Sequence, residues 1–359
     1  MTTSEANPTS DAGVTAGTAA ESSRPAAEAM VGQTIEKVVA DATSSGGSAP
    51  PQPSASSVPV AGAAASGIGQ SGDCGCDDRR GSHVFAIGTV SYDFGTEARR
   101  DSFRQLMPMV RDRPANPYTT EEMVSYLDAN PSESTKLIWT FNLELTPIYA
   151  IEAQIPYARE VYDFLRKAMH GQIQRENSAS HISRISLPGK LTDRTVRLYS
   201  GQVVPIVVAQ YRGLWSWNTK ALIDSVVGRF DAKRHDNIRA SLQNFLDKVY
   251  YELRNLGKSS PDRALNYSAT NAFQASDAMA HVLHPKEAVP SAGLYTLDDI
   301  SVSKSPFCRM DSDCWDVKLT FFDPENDRRA RMVMRFTVDV SDELPVTLGP
   351  VRHWTEAAH

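Results

Sequence analysis

Apolar and polar residues alternate along two parts of the chain in the way that paired β-strands require. Residues 137–145 alternate, and a second extended run follows over residues 148–152. Closer to the C-terminus, residues 315–322 alternate, a turn rich in Asp and Asn follows, and residues 332–340 alternate again. Because successive side chains of a strand point to opposite faces, each pair of runs predicts a hairpin with one buried face.

Helical periodicity separates these hairpins. The clearest predicted helix spans Asn237 to Leu256, where the apolar residues fall on one stripe and Gly257 can end the helix. Hairpins mixed with helices, without strict βαβ alternation, predict an α+β fold of short antiparallel strands and a few helices. Further predicted helices begin at Thr119–Thr120 and cover Tyr157–His170, part of Leu214–Val227 and Arg263–Met279, and further strands cover Val84–Val90, Thr195–Tyr199 and Val203–Tyr211.

The first part of the chain has a different composition. Residues 1–72 are mostly Ala, Ser, Gly, Pro and Thr, and the first aromatic residue of the protein is Phe85. Such a segment cannot bury enough apolar surface to offset the entropy of ordering its backbone, so we expect a disordered N-terminal tail. Within it, Glu28–Ala40 could form a short helix, either a transient one or an element that docks on a partner.

Charge and composition narrow the classes of partner and the compartment. The formal net charge is -6, so we expect neither nucleic acid nor a membrane surface as a partner. The sequence has no apolar run long enough to span a bilayer and no secretory signal, which favours a cytoplasmic location. The four cysteines are too few for a disulfide scaffold.

No residue pattern typical of a catalytic site stands out. The sequence has no G-x-S-x-G nucleophile elbow, no zinc-protease motif and no P-loop. The G-x-G-x-x-G at Gly67–Gly72 lies in the tail, where no strand precedes it. His281 and His284 could share a helical face as metal ligands, although a polar helix end before Pro285 explains them more simply.

The cysteines form two close pairs, Cys74 with Cys76 and Cys308 with Cys314. Four thiolates could hold a structural zinc ion, and such a site would be closed to substrate. The spacing differs from the usual C-x-x-C, and three other states remain open. These are a disulfide between Cys308 and Cys314, an exposed free Cys-Gly-Cys, and two unrelated buried thiols.

Aromatic residues cluster after one predicted strand. Tyr211, Trp215 and Trp217 lie in AQYRGLWSWN, and the two tryptophans share a side if the segment is extended. Exposed aromatics supply much of the binding energy at interfaces, so these three residues are candidates for peptide binding. The alternative is that they belong to the ordinary core.

Several long segments resemble the C-terminal region of unknown function of the cyanobactin maturation protease (PatA/PatG) family. The resemblance implies two subdomains, at residues 81–188 and 203–354, and a pathway that makes ribosomally synthesised, enzymatically modified peptides. The segments that carry it are VFAIGTVSYDFGTEARRDSF (84–103), VPIVVAQYRGLWSWNTKAL (204–222), DRALNYSATNAF (262–273), SPFCRMDSDCWDVKLTFFDPEN (305–326) and RFTVDVSDELPVTLGPVRHW (335–354).

In that family a subtilisin-like protease domain precedes this region, whereas here a low-complexity tail does. No protease residue can be transferred, and the resemblance therefore implies a non-catalytic protein that binds a precursor peptide. Two alternatives are an enzyme with an unrecognised, zinc-dependent site and a scaffold or oligomerisation module for tailoring enzymes. The chain could also form a homodimer or a heterodimer. Its expected partners are the precursor peptide and the tailoring enzymes of the same pathway.

Overall fold

The computed structural model describes residues 83–228, 235–272, 295–326 and 328–357. The predicted tail (residues 1–72), the possible helix Glu28–Ala40, Cys74, Cys76, and the pair His281 and His284 lie outside the described residues. Strands and helices are both present in the described part, and the predicted α+β class is confirmed.

Six strands form the first sheet: β1 (His83–Asp93), β2 (Ile138–Leu143), β3 (Thr146–Glu152), β4 (Arg184–Arg197), β5 (Val203–Ala209) and β6 (Trp215–Trp217). The pairings β1–β2, β2–β3, β3–β5, β5–β4 and β4–β1 close five of them into a barrel, and β6 adds to the end of β4. Among the strands of the described residues, only β3 and β5 pair in parallel.

This connectivity is that of an OB-fold, a five-stranded Greek-key barrel. Helix α3 (Ala158–Gln172) lies between β3 and β4. Helices α1 (Glu97–Leu106) and α2 (Thr120–Ala129) lie in the long β1–β2 connection, followed by a 3₁₀ turn (Pro131–Lys136). The barrel takes strands from both predicted subdomains, since β5 lies beyond residue 188. The predicted subdomain boundaries stay predictions.

Gly88 is the point at which β1 changes partners. His83–Gly88 pairs with β4, and Thr89–Asp93 pairs with β2. A Cβ atom at position 88 would lie 2.3 Å from the carbonyl oxygen of Asn142 and 2.9 Å from the ring of Phe141. Only glycine lets the two strands approach this closely, so the barrel depends on Gly88.

The barrel interior is apolar and holds its largest side chains fully buried. The apolar stripe of α3 and the buried residues of α2 pack against one end of it. Trp139 is enclosed and donates its indole N–H to the carbonyl oxygen of Ser134 at 2.8 Å. The fully buried side chains here include Phe103, Met123, Leu127, Trp139, Phe141, Tyr149, Leu165, Met169 and Ile185.

A second antiparallel sheet contains β7 (Thr296–Lys304), β8 (Cys314–Phe322) and β9 (Arg331–Asp339). The outer edge of β9 pairs with β10 (Val346–Thr347) and β11 (Arg352–Glu356). One face of this sheet packs with α4 (Thr219–Val227), α5 (His235–Asp247) and α6 (Ser260–Ala272) in a second core. That core includes Ile87, Leu246, Ala264, Val317, Phe321, Met334, Phe336 and Val338.

The long predicted helix is shorter than expected. After α5 the chain forms a π-helical turn (Lys248–Glu252), and residues 253–259 are irregular. The carbonyl oxygen of Gly257 accepts the N–H of Phe85 at 2.9 Å, and the side-chain amide of Asn266 donates to the Phe85 carbonyl at 2.8 Å. This segment leaves the helix because it satisfies the backbone groups of β1 that point away from β4.

No helix among the described residues combines the length and the apolar content that crossing a bilayer requires.

Candidate functional site

A cleft lies where the barrel meets the segment after α5. Its walls come from the middle of β1, the β2–β3 turn, the start of β4, the π-helical turn, the irregular segment and α6. The lining residues are Ile87, Gly88, Thr89, Leu143, Glu144, Arg184, Tyr250, Arg254, Asn255 and Asn266. We call it the arginine–tyrosine cleft.

Arg184 is the central cation of the cleft. Its guanidinium lies 5.3 Å from the ring centre of Tyr250 and 5.8 Å from that of Tyr251. It donates to the Ser183 carbonyl oxygen at 2.9 Å and to the Tyr251 hydroxyl at 3.3 Å. Within the described residues no carboxylate pairs with it. Arg184 is therefore held by aromatic rings while part of its donor capacity is unused.

The π-helical turn places Tyr250 between Arg184 and Trp217. The indole N–H of Trp217 donates to the Tyr250 hydroxyl at 2.8 Å, and the two rings stack with centroids 6.4 Å apart. Burial raises the pKa of Tyr250, so its hydroxyl stays protonated at neutral pH. Since that oxygen already accepts from Trp217, its proton remains to be donated. Turns of this π-helical type are frequent at functional sites.

An ion pair marks the outer rim of the cleft. Arg254 Nη1 lies 2.6 Å from Glu144 Oε1, and both side chains are about half exposed. Glu144 has a φ of 57° in the tight β2–β3 turn, a left-handed conformation that is uncommon for a residue with a side chain. The turn thereby holds a carboxylate beside Arg254. With two arginines and one glutamate, the lining of the cleft has a net charge of +1.

Amide groups form the inner wall. The side-chain amide of Asn255 lies 3.1 Å from the Asn266 side-chain oxygen, and its own oxygen accepts the N–H of Gly257 at 2.8 Å. Asn142 is paired with Thr89 across β1 and β2, and its buried Oδ1 has no hydrogen-bond partner within the described residues. An unsatisfied buried acceptor next to a cleft can accept an N–H group from a ligand.

The cleft is small, and most of its side chains are polar. Its enclosed part measures about 20 Å³, which holds about one water molecule. Its polar groups are two guanidinium groups, one phenol, two amides, one carboxylate and the hydroxyl of Thr89, and no thiol or imidazole lines it. Across the described part of the chain, no group of three or more His, Cys, Asp or Glu side chains is placed to hold a metal ion.

The structure separates the three aromatic residues predicted to bind peptide. Trp217 is buried behind the cleft against Tyr250, and Trp215, two residues earlier in β6, is 49% exposed. Tyr211 lies in a 3₁₀ turn and stacks on Tyr157, with ring centres 5.8 Å apart. Trp217 therefore supports the cleft, Trp215 is a surface residue on the same strand, and Tyr211 belongs to a different patch.

Cys308 and Cys314 are joined by a disulfide, with their Cα atoms 5.4 Å apart. This is one of the states that the sequence left open. A disulfide and a zinc site are alternative states of the same sulfur atoms. The four-cysteine zinc site stays a prediction, since Cys74 and Cys76 lie outside the described residues.

Sequence reasoning did not single out Arg184, Tyr250 or Arg254. They lie on three different elements, and no spacing in the chain indicates that they meet. The one available signal was the tyrosine doublet at Tyr250 and Tyr251, which lies off the apolar stripe of the predicted helix.

Known proteins resemble most of the described chain. A family model described as PatG Domain matches residues 83–193, and one described as PatG C-terminal matches residues 232–354. A solved structure named PatG Domain of Unknown Function is 46% identical and superposes with a TM-score of 0.69. That match covers 77% of this chain and 99% of the other. No curated protein matches the chain.

Proposed function

The chain belongs to the family of PatG domains, and we propose that it is a non-catalytic accessory protein that binds a precursor peptide in the biosynthesis of ribosomally made, enzymatically modified peptides. The pathway comes from the cyanobactin context of the family. The binding role comes from the chemistry of the arginine–tyrosine cleft.

The observation that carries the proposal is the combination of a shallow cleft with unused hydrogen-bond donors. Arg184 and Tyr250 offer donors, and the cleft residue Thr89 is paired with Asn142, whose buried Oδ1 has no hydrogen-bond partner among the described residues. An extended peptide presents carbonyl oxygens and N–H groups in alternation, so it can use both kinds of group. A binding surface of this kind needs no nucleophile.

Trp215 gives the cleft an aromatic extension. It lies on β6 opposite Ser186 of β4, and Trp217 lies opposite Arg184. Two residues of extended chain span about 7 Å, so the half-exposed Trp215 lies one dipeptide step along β6 from the position paired with Arg184. A peptide that binds at Arg184 can pack an apolar side chain on Trp215.

Titration calorimetry with the precursor peptide from the same gene cluster tests the proposal. We expect saturable binding, and at least about fivefold weaker binding for Trp215→Ala, because a truncated aromatic anchor typically costs more than about 1 kcal/mol. Met310→Ala, which alters a fully exposed side chain in the loop between β7 and β8, is the matched control and should bind as the wild type. Absence of heat at high peptide concentration contradicts the proposal, as does a change in peptide mass caused by the protein alone.

A second candidate function is to hold tailoring enzymes. It is favoured by an exposed patch in which Ile155 is 92% exposed beside the stacked pair Tyr157 and Tyr211. Aromatic and aliphatic side chains grouped in this way are typical of protein interfaces. Pull-down of the pathway's enzymes should be lost with Ile155→Asp and retained with Trp215→Ala. Equal capture by the two variants argues against this patch.

A further inference from the structure

We propose that the arginine–tyrosine cleft binds a carboxylate group of the peptide, with Arg184 as its principal partner. The inference rests on the proposed function, because it names the chemical group that this site recognises. It concerns a specific contact, and it can fail while peptide binding stands.

The donors in the cleft are the first reason. Arg184 donates two hydrogen bonds, to Ser183 and Tyr251, whereas a guanidinium has five N–H groups. The planar fork of the remaining donors matches the two oxygens of a carboxylate. The Tyr250 hydroxyl, which accepts from Trp217, can add a further donor. A site rich in donors selects a ligand rich in acceptors.

The way Arg184 is held is the second reason. Its guanidinium lies on two tyrosine rings, so its position is fixed before a ligand arrives, and less side-chain entropy is lost on binding. In many proteins a carboxylate of the same chain occupies such an arginine. Among the described residues, Arg254 has such a partner in Glu144, and Arg184 has none.

The charge of the lining is the third reason. Arg184 and Arg254 face one carboxylate, that of Glu144, so a single added carboxylate neutralises the cleft. A ligand with an amide in place of the carboxylate leaves the charge of Arg184 unpaired. We therefore expect the cleft to discriminate between glutamate and glutamine in an otherwise identical peptide.

The direct test uses acetylated, amidated Ala-Glu-Ala, the Ala-Gln-Ala analogue, and acetyl-Ala-Ala-Ala with a free C-terminal carboxylate. The readout is the side-chain Nε–Hε signal of Arg184 in ¹⁵N-labelled protein, assigned by its disappearance in Arg184→Gln. We expect a saturable shift, with a Kd below about 10 mM, for a peptide with a carboxylate and none for Ala-Gln-Ala. The Glu peptide and the free-acid peptide distinguish a side-chain carboxylate from a C-terminal one.

Three variants sharpen the test. Arg184→Gln should weaken binding of the precursor peptide at least tenfold, and Arg352→Gln, an exposed arginine on β11 outside the cleft, should leave it unchanged. Tyr250→Phe keeps the ring that Trp217 packs on, and should weaken binding about threefold through loss of the hydroxyl donor. This variant keeps the inference testable if Arg184→Gln does not fold.

The outcomes are separable from those of the proposed function. Equal shifts with the Glu and Gln peptides, or no shift with any of the three, overturn the carboxylate contact. Precursor binding that Arg184→Gln leaves unchanged overturns it as well, while peptide binding itself stands. If the precursor does not bind the wild type at all, the proposed function fails, and the tripeptide shifts alone decide the contact.

Discussion

At the scale of single residues, two features decide whether a glycine can be replaced. They are the backbone conformation of the glycine and the distance of neighbouring atoms from the position that a Cβ atom would take. Gly257 has a φ of 65°, and a Cβ atom there would lie 2.2 Å from the carbonyl oxygen of Phe85. Gly349 has a similar φ of 72° with nothing within 4 Å. An alanine at either position would have to adopt a left-handed backbone conformation. Only at position 257 would its Cβ atom also clash with a neighbouring atom, the carbonyl oxygen of Phe85.

We expect Gly257→Ala to lower the free energy of unfolding by about 3 kcal/mol or more, and Gly349→Ala by about 1 kcal/mol. The first variant loses the contact between the irregular segment and β1, and the second meets only the conformational cost. Urea unfolding of the two variants beside the wild type measures the difference. Equal destabilisation would contradict the close approach of Gly257 to the Phe85 carbonyl oxygen.

Asp313 is a carboxylate that ties three elements together. It accepts hydrogen bonds from Ser260 at the start of α6, from Lys304 at the end of β7 at 2.9 Å, and from the indole of Trp315 on β8 at 2.9 Å. Partial burial alone would raise its pKa, but these donors prevail and hold the pKa below its usual value.

A lowered pKa in the folded protein has a definite sign for stability. The unfolded chain binds the proton more readily, so the contribution of Asp313 is complete above about pH 4 and is lost as the pH falls through the lower folded value. We expect Asp313→Asn to cost about 2 kcal/mol near pH 7 and to flatten the acid side of the stability curve. Asp299→Asn, at an exposed position on β7, is the control, measured by urea unfolding from pH 7 to pH 2.5. Parallel curves for wild type and Asp313→Asn count against this role.

At the scale of elements, the sequence pattern predicts a strand or helix correctly where one face of the element is buried and the other is exposed. The predicted hairpins at residues 137–152 and 315–340 are present as β2–β3 and β8–β9, because alternation encodes a one-sided core. Most of β4 lies in residues 184–194, where the sequence pattern predicts no strand.

The strand β4 was missed because it contains Pro188 and Gly189, which argue against a strand. Pro188 is tolerated opposite Phe85, whose N–H and C=O point away from β4 toward Gly257 and Asn266. Its missing N–H therefore costs no bond with β1. The arginine–tyrosine cleft could not be predicted for the same reason, because its central residue, Arg184, is the first residue of β4.

The Cys308–Cys314 disulfide closes the short connection between β7 and β8. Trypsin cuts after Lys304, Arg309 and Lys318, so the oxidised protein should yield SPFCR linked to MDSDCWDVK without reductant. Detection of this linked pair by mass spectrometry checks the expectation. Unlinked peptides from a protein that carries stoichiometric zinc would support the four-cysteine site instead.

Closing this loop should stabilise the fold by about 2 kcal/mol, since the unfolded chain then has fewer conformations. We expect Cys308→Ser to unfold at lower urea concentration by a corresponding amount. Reductant should lower the midpoint of the wild type toward that of the variant and leave the variant itself unchanged. If the reductant lowers the urea midpoint of Cys308→Ser as much as that of the wild type, the loss of stability does not come from this disulfide.

At the scale of the whole described fold, the barrel and the second sheet share residues in a way that couples their stability. Ile87 of β1 and Trp217 of β6 belong to the core of the second sheet, although both strands are part of the first sheet. Asn266 and Gly257 bond to Phe85, and the hydroxyl of Tyr149 donates to the Leu256 carbonyl oxygen at 2.6 Å. The second core is therefore incomplete without residues of the first sheet, and these hydrogen bonds join the barrel to the segments around that core.

This coupling predicts one cooperative unfolding transition for the described fold. In native-state hydrogen exchange, the slowest amides of β1–β2 and of β8–β9 should report the same free energy of opening. Asn266→Ala should lower both free energies of opening by about 2 kcal/mol, because it leaves the buried Phe85 carbonyl without its donor. Gln105→Ala on the surface of α1 should lower neither.

A fragment of residues 83–193 lacks β5, which joins β3 to β4, and should therefore not fold alone. Two separate unfolding transitions, or a folded fragment, would mean that the barrel is an independent domain. The cleft would then lie between two parts of the fold that can move relative to each other.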